Sequence, residues 1–313
     1  MEVCLVDFRG RSTALPVLLE WKFSYGSGLP CDAFEVCFIY EREMYAALSE
    51  AVRLRAVHEG ATVFFGVVDE FEISVSENGS LVFVRGRGLA ALLIDNEVEA
   101  AQYFSASLDM ILERYVYPLG ITQVKRNASP PPQSIVVDSG ASAYKVLEDF
   151  LWFGCRALPR FGRDGTLLIG EEKGRRMAIG TGAAVLEQRF RKRRYGVISE
   201  AIVKNKALGA TNCVKNVEFC QKGGSCRRVV NVPRRTRFDT MRSTGEYQIE
   251  RSRENETMIS ISVPAIFAAF PGDVVEIYDS PLGVSGAYIV GKATCFASGD
   301  IAGTDIILTG REM

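Results

Sequence analysis

The sequence predicts a mainly β protein with an α/β insert: two small β-barrels separated by a helical, mixed α/β stretch. Three observations carry this. Short segments with an apolar residue at every second position fill the first 88 residues and return after about residue 186. Between them two stretches switch to helical period. Turn pairs, Asn78-Gly79 and Asp164-Gly165, interrupt the alternating runs at hairpin spacing.

Taken in order, strands are expected near 3–8, 17–24, 34–40, 61–68, 71–77 and 81–85. A helical insertion is expected over 42–57, where Met44, Leu48, Ala51 and Val52 fall on one helical face. Phe71, Ile73 and Val75 alternate with Glu72, Ser74 and Ser76, and Asn78-Gly79 suits the left-handed dihedrals of a type I′ turn before the strand Leu81 to Val84. Gly86 and Gly88 around Arg87 let the chain leave the sheet before Leu89, Leu92 and Leu93 begin a helix-like run. Ser105 precedes Leu108, Ile111, Leu112, Tyr115 and Val116, the stripe of an amphipathic helix capped at its start and stopped by Pro118. Ala128 to Ser134 contains consecutive prolines, which remove backbone donors and predict an extended connector. Tyr144, Leu147, Phe150 and Leu151 mark a second helix, and Asp164-Gly165 closes a hairpin.

Strands are expected again at 197–204, 246–252, 257–263, 273–279, 284–292 and 303–309, with Ile259, Ile261 and Val263 alternating against Ser260 and Ser262. Residues 205–245, rich in Gly, Asn, Arg and Cys, read as a long exposed loop or excursion unable to bury a core. The expected domains are 1–88 (first barrel with an inserted helix), 89–185 (α/β intervening domain) and 186–313 (second barrel with the excursion at about 205–245).

At 313 residues, 47% hydrophobic and 24% charged, the chain suits two or three globular domains rather than disorder. The start, MEVCLVDFRGR, carries an acidic residue where a signal peptide is basic, and no window approaches 18 uninterrupted apolar residues. A soluble protein made in the cytoplasm is expected. The net charge of −1 hides an asymmetry: residues 1–150 hold 12 Lys/Arg and 21 Asp/Glu, whereas 151–313 hold 25 and 17. Three readings are open: the halves dock on one another, they order neighbouring subunits by complementary potentials, or they are solvated faces that balance by chance.

No catalytic residue is nominated. The single histidine, His58, has no nucleophile proposed for it, and a cation at the end of the expected helix is favourable on its own account. The carboxylate pairs Asp69/Glu70 and Glu171/Glu172 are adjacent in sequence, so on a strand they point to opposite faces. Gly223-Gly224 lacks the setting of a phosphate loop. Cys213, Cys220 and Cys226, with Cys155 or Cys295 as a distant fourth, are the metal candidates for zinc or an iron–sulfur cluster. Their C-x6-C-x5-C spacing lacks the C-x2-C knuckle, however, so they read as structural thiols with no cofactor. Arg189 to Arg194, and Arg227, Arg228, Arg234, Arg235 and Arg237, form basic strips; aromatics scarcely interleave in the second and the chain is slightly acidic, so a solvated or subunit-facing strip is expected, with no specific nucleic acid and no membrane insertion.

The order of motifs resembles the baseplate hub proteins of contractile phage tails and R-type bacteriocins, the late control D family. Phe64, Gly66, Val68 and Asp69 match an FxGxVD strand, and Val84, Gly86, Arg87, Leu89, Leu92, Leu93 and Asp95 match a VxGRxLxxLLxD exit. Gly88 departs from the pattern, since relatives more often carry a larger polar residue there. YVYPLGI (Tyr115 to Ile121), DGTLLIG (Asp164 to Gly170) and PGDVVEIYDSPLG (Pro271 to Gly283) follow in the family's order. The resemblance implies two tudor-like barrels per chain and a homotrimer whose six barrels adapt a sixfold tail tube to a threefold central spike, without catalysis. It also implies tube, spike and other baseplate proteins as partners, and a place in the baseplate of a virion or bacteriocin tail. Because the chain ends directly after its last expected strand, spike and wall-cutting regions are expected on another chain. The alternatives are a metal-binding tail-tip module and a cell-wall hydrolase component.

Overall fold

The computed structural model describes all residues except 27–30, 78, 171, 173, 180–183, 233–237, 254–255, 279 and 312–313. The first strand-rich part holds β1 (Glu2–Asp7), β2 (Ser12–Ala14), β3 (Leu18–Gly26), β4 (Ala33–Ile39), α1 (Tyr45–Glu50), β5 (Ala51–His58), β6 (Ala61–Ser76) and β7 (Gly79–Gly88). The insert holds α2 (Ala90–Ile94), β8 (Glu97–Val98), β9 (Ala101–Ala106), α3 (Leu108–Tyr115), β10 (Val124–Arg126), β11 (Gln133–Val137), β12 (Ala141–Ser142), α4 (Ala143–Cys155), β13 (Pro159–Phe161) and β14 (Leu167–Ile169). Then come β15 (Arg176–Ile179), β16 (Glu187–Lys192), β17 (Glu200–Asn205), β18 (Ala210–Lys215), α5 (Val217–Gln221), β19 (Arg227–Asn231), α6 (Phe238–Arg253), β20 (Thr257–Val263), β21 (Val274–Ile277), β22 (Gly286–Ser298) and β23 (Ile301–Arg311).

The mainly β class with an α/β insert is the architecture found, but the two strand-rich parts are one sheet. Its thirteen strands run β16-β20-β23-β22-β3-β4-β7-β6-β5-β1-β2, with β21 and β15 branching from β22. Among the described residues the path stays open at β2 and β16 instead of closing into two rings. The reason is the pairing of β22 with β3, from Lys292↔Gly26 to Ser298↔Glu20, which joins edges that two separate barrels would each have to cover. One core follows. Phe23, Phe64, Val84 and Leu54 from the first part pack in the same cluster as Ile259, Val290, Ile306 and Leu308 from the last. Phe64 lies 5.3 Å from the rings of both Phe23 and Phe34, and Trp21 stacks on Phe267 at 5.5 Å.

The insert has its own core of Leu108, Ile111, Leu112, Leu147, Phe150, Leu151 and Leu167. Both helices form where the apolar stripe predicts. The cap of α3 is Ser107, not Ser105: its hydroxyl accepts from Met110 N at 3.2 Å. Ser142 does the same for Lys145 N of α4.

Three further expectations are corrected. The helix expected over 42–57 ends at Glu50; beyond it Leu54 and Ala56 are buried and alternate with Arg53 and Arg55, so 51–58 is strand β5 and His58 ends a strand. In the first hairpin Gly79 is the first residue of β7, opposite Ser76 and at φ +121°, so the turn starts one residue earlier than expected; Asn78 lies outside the described residues. The tract 205–245 is no loop. Strands β18-β17-β19 form a three-stranded sheet, α6 occupies the stretch expected as strand 246–252, and Ile198, Ala201 and Ile249 make a small core between them. Helix and sheet touch closely: a Cβ on Gly245 would sit 2.6 Å from a Val214 methyl.

Candidate interaction surface

Two residues apart on β7, Arg85 and Arg87 project to the same side of the main sheet, opposite the core side taken by Val82 and Val84. Arg85 donates to Glu35 (3.0 Å), Glu70 (3.1 Å) and Glu72 (3.4 Å). Arg87 grips Asp69 through Nε and Nη2 at 2.7 and 2.8 Å, and Asp95 through Nη1 and Nη2 at 2.9 and 2.7 Å. A register shift between Val68 and Glu70 makes both geometries possible. It brings Asp69 and Glu70 to arginines on one face, where an unbroken strand would have sent them to opposite faces. The crossing is tight: a Cβ on Gly86 would lie 2.0 Å from Val67 O, and one on Gly66 2.2 Å from Arg87 O. The glycines, Arg87 and the two aspartates of the sequence motif therefore build a corner in which the strand exit, α2 and β6 are tied together. The same hydrogen bonds from Arg87 hold the Asp95 carboxyl below its ordinary range. With both partners part exposed, the pairs set direction more than stability.

Of the basic candidates, Arg227 and Arg228 fall on the 197–253 module, where they open β19; Arg234, Arg235 and Arg237 lie outside the described residues. Arg227 Nε donates to Glu200 at 2.5 Å, and the Cys213 thiol donates to the other oxygen of Glu200 at 3.1 Å. These two hydrogen bonds, Cys213 first, lower the Glu200 pKa. Cys220 and Cys226 gather instead at the neighbouring residue: Cys220 Sγ donates to Ser199 O at 3.4 Å and Cys226 N to Ser199 Oγ at 2.8 Å. Alternation along the strand thus separates Cys213 from the other two. Cys155 donates to Leu151 O on α4, and Cys295 is buried in the core of the main sheet. Among the described residues no group of three or more His, Cys, Asp or Glu side chains is placed to hold a metal ion.

Ile202 and Val229 were not singled out from sequence, yet they lie beside Cys213 on one face of the module's sheet. Ile202 belongs to AIVK in the expected strand 197–204, whereas Cys213 in TNCVK and Val229 in RRVVN lie inside the tract whose composition suggests a loop. The terminal strands of the main sheet add a second exposed element. Arg189 and Arg191 of β16 face the same side as Ser260 and Met258, while the other edge of β16 has no strand partner among the described residues.

At the seam between sheet and insert lies a cavity of about 280 Å³, bordered by Asp32, Arg160, Arg163, Phe270 and Asp273. Its carboxylates are engaged. Asp273 accepts from Arg175 N, Arg175 Nη2 and Phe270 N, and Asp32 accepts from Gly26 N. Arg160 donates to Pro271 O at 2.6 Å, bridging insert and sheet. His58 packs against Phe267 at 5.2 Å and Glu172 pairs with Lys125; Glu171 is outside the described residues. No helix among the described residues is long and apolar enough to cross a membrane.

No family model matches the sequence, and no curated protein does either. Solved structures do. A 43 kDa tail protein of prophage MuSo2 from Shewanella oneidensis superposes with a TM-score of 0.78 at 18% identity, covering 98% of this chain and 97% of that one. A tail protein from Neisseria meningitidis MC58 gives 0.77 at 14% identity over 99% and 96%. An Escherichia coli component of the type VI secretion system, itself structurally similar to bacteriophage T4 tail proteins, gives 0.59 at 11% identity over 95% and 74%. From end to end, this chain has the fold of prophage tail proteins.

Proposed function

We propose that this chain is a structural baseplate hub: a homotrimeric adaptor between a hexameric tail tube and a trimeric central spike in a contractile injection particle, without a catalytic step. The observation that carries the reading is the fold shared along the whole chain with tail proteins, one of them from a prophage. The open sheet supports it physically. Among the described residues β2 and β16 end the sheet without a further strand partner, and exposed edges of this kind are normally covered by a partner. In this reading the strand-rich parts at 1–88 and 186–313 supply two similar modules per chain, with 89–185 as the insert between them. Three chains then present six modules toward the tube and three equivalent sites toward the spike. The partners are two further copies, the tube or its initiator, the spike and other baseplate proteins, and the place of action is the particle baseplate. Arg227, Arg228, Arg234, Arg235 and Arg237 serve as contact residues.

Mass photometry of the purified chain tests this. A trimer is expected, with an interface on the order of 2,000 Å² or more per pair as in obligate assemblies. A chain that stays monomeric at micromolar concentration and forms no trimer in the assembled particle sinks the reading.

A further inference from the structure

We propose that the bare face of the module sheet β18-β17-β19 docks onto the acidic first half of a second copy of this chain, an assignment that rests on the hub reading above. The sheet has two unlike faces. One is covered by α6 and buries Ala201 and Val203. On the other, the strand register lays out rows that cross all three strands. Cys213, Ile202 and Val229 form an apolar row, and Lys215, Glu200 and Arg227 form a charged row beside it. Val229 is 48% exposed, and Cys213, Lys215 and Arg227 are exposed as well. Apolar groups bordered by solvated charges are the anatomy of a protein contact.

Charge selects the occupant. The module, residues 197–253, holds 12 of the 37 Lys/Arg but only 5 of the 38 Asp/Glu, so it accounts for most of the basic excess of the second half. The complementary excess, 21 Asp/Glu against 12 Lys/Arg, is in residues 1–150. Within one chain the module is held at α4 by its helix side, through the contacts of Tyr247 and Arg251 with Glu148. The other face, exposed among the described residues, is therefore left for a neighbour. Nucleic acid fits less well: a carboxylate, Glu200, sits in the charged row, and the described residues of this face include no aromatic on which a base would stack.

Photocrosslinking of the full chain tests the assignment. Thr211, exposed on the same face, is replaced by p-benzoylphenylalanine, and isotopically light and heavy copies are mixed before irradiation. Crosslinks joining light to heavy chains and ending within residues 1–150 are expected. In parallel, Val229→Glu is expected to weaken self-association by about tenfold or more, as like charge placed in a contact does, with an unchanged circular dichroism spectrum. A trimer that persists while crosslinks stay within one copy, or while Val229→Glu leaves self-association untouched, overturns the docking face and leaves the hub reading standing. Crosslinks to co-purifying nucleic acid overturn it too. A parent chain that never self-associates overturns both.

Discussion

The main sheet and the 197–253 module both bury apolar side chains against strands, at very different scale. The sheet draws Phe23, Phe38 and Phe64 from the first part, and Val290, Ile306 and Leu308 from the last, to full burial in one cluster. Among the described residues the module's cluster has Ile198, Ala201 and Ile249 buried, with Val214 and Cys226 packed against them. What it lacks in core it replaces by docking. Glu148 on α4, 8% exposed, accepts from Lys145 Nζ (3.2 Å), Tyr247 OH (3.3 Å) and Arg251 Nη1 (3.4 Å), and Trp152 packs on Tyr247 with ring centroids 4.4 Å apart. A buried carboxylate is tolerable only with such partners, so the docking contact is specific but conditional on each of them. The sheet is held by area, the module by a few directed bonds.

That contrast breaks most decisively at Phe64. Phe64→Ala is expected to cost about 3–5 kcal/mol in denaturant unfolding, because the ring bridges Phe23 and Phe34 in a core that cannot collapse around the gap. A loss below about 1 kcal/mol would mean that the ring is not closely packed in that core. Glu148→Ala should instead act locally, at about 2 kcal/mol, by removing the acceptor that Lys145, Tyr247 and Arg251 share at the docking contact. Hydrogen exchange in α6 and β17 is expected to rise while that of β3 and β22 stays as it was. Equal acceleration in both regions would erase the distinction. Gly79→Val comes next, at about 1–2 kcal/mol, since a β-branched residue is strained at a positive φ even where, as here, the site has space. A melting temperature within a degree of the parent would show that the hairpin does not depend on that geometry.

The smallest effect concerns the seam. Burial raises the Asp32 carboxyl from the ordinary 3.8 to about 6, against the opposing pull of Gly26 N–H and Arg160. The folded chain then holds this proton more tightly than the unfolded one, so the group lowers stability as pH rises from 3.8 to about 6 and adds no further slope above it. Asp32→Asn should remove that portion of the slope, leaving the variant better off relative to the parent at pH 7 than at pH 4. Parallel stability curves for the two proteins would show the carboxyl to be solvated.

Legibility from sequence tracked this division. Strong alternation at Phe71, Ile73, Ile259 and Ile261, and the stripes of α3 and α4, were read correctly because long-range packing agrees with local period there. Within the expected helix 42–57, Met44, Leu48, Ala51 and Val52 match a helical face by coincidence, while the alternation of Arg53 and Arg55 with Leu54 and Ala56 points to the strand that forms. The module escaped notice because small cores leave faint patterns. Met241, Gly245 and Ile249 recur every four residues and are all buried, yet a glycine in that stripe hides the helix. The Arg87 corner was visible as a motif but not as a contact, since a bulge cannot be located from spacing alone. The bare face of the module depends on the register of three strands, which no single segment encodes.

The seam between β3 and β22 has a consequence in time. The hydrogen bond from Ser298 to Glu20 joins residues 278 apart in sequence, and the strands around it cannot pair until nearly the whole chain has left the ribosome. Until then β3 waits with one side unsatisfied, and in a cell making many copies its nearest candidate is the β22 of another chain. Loop closure over such a span is slow compared with local hairpins. Production of this protein should therefore be sensitive to translation rate and expression level, with exchange of terminal strands between chains as the characteristic fault.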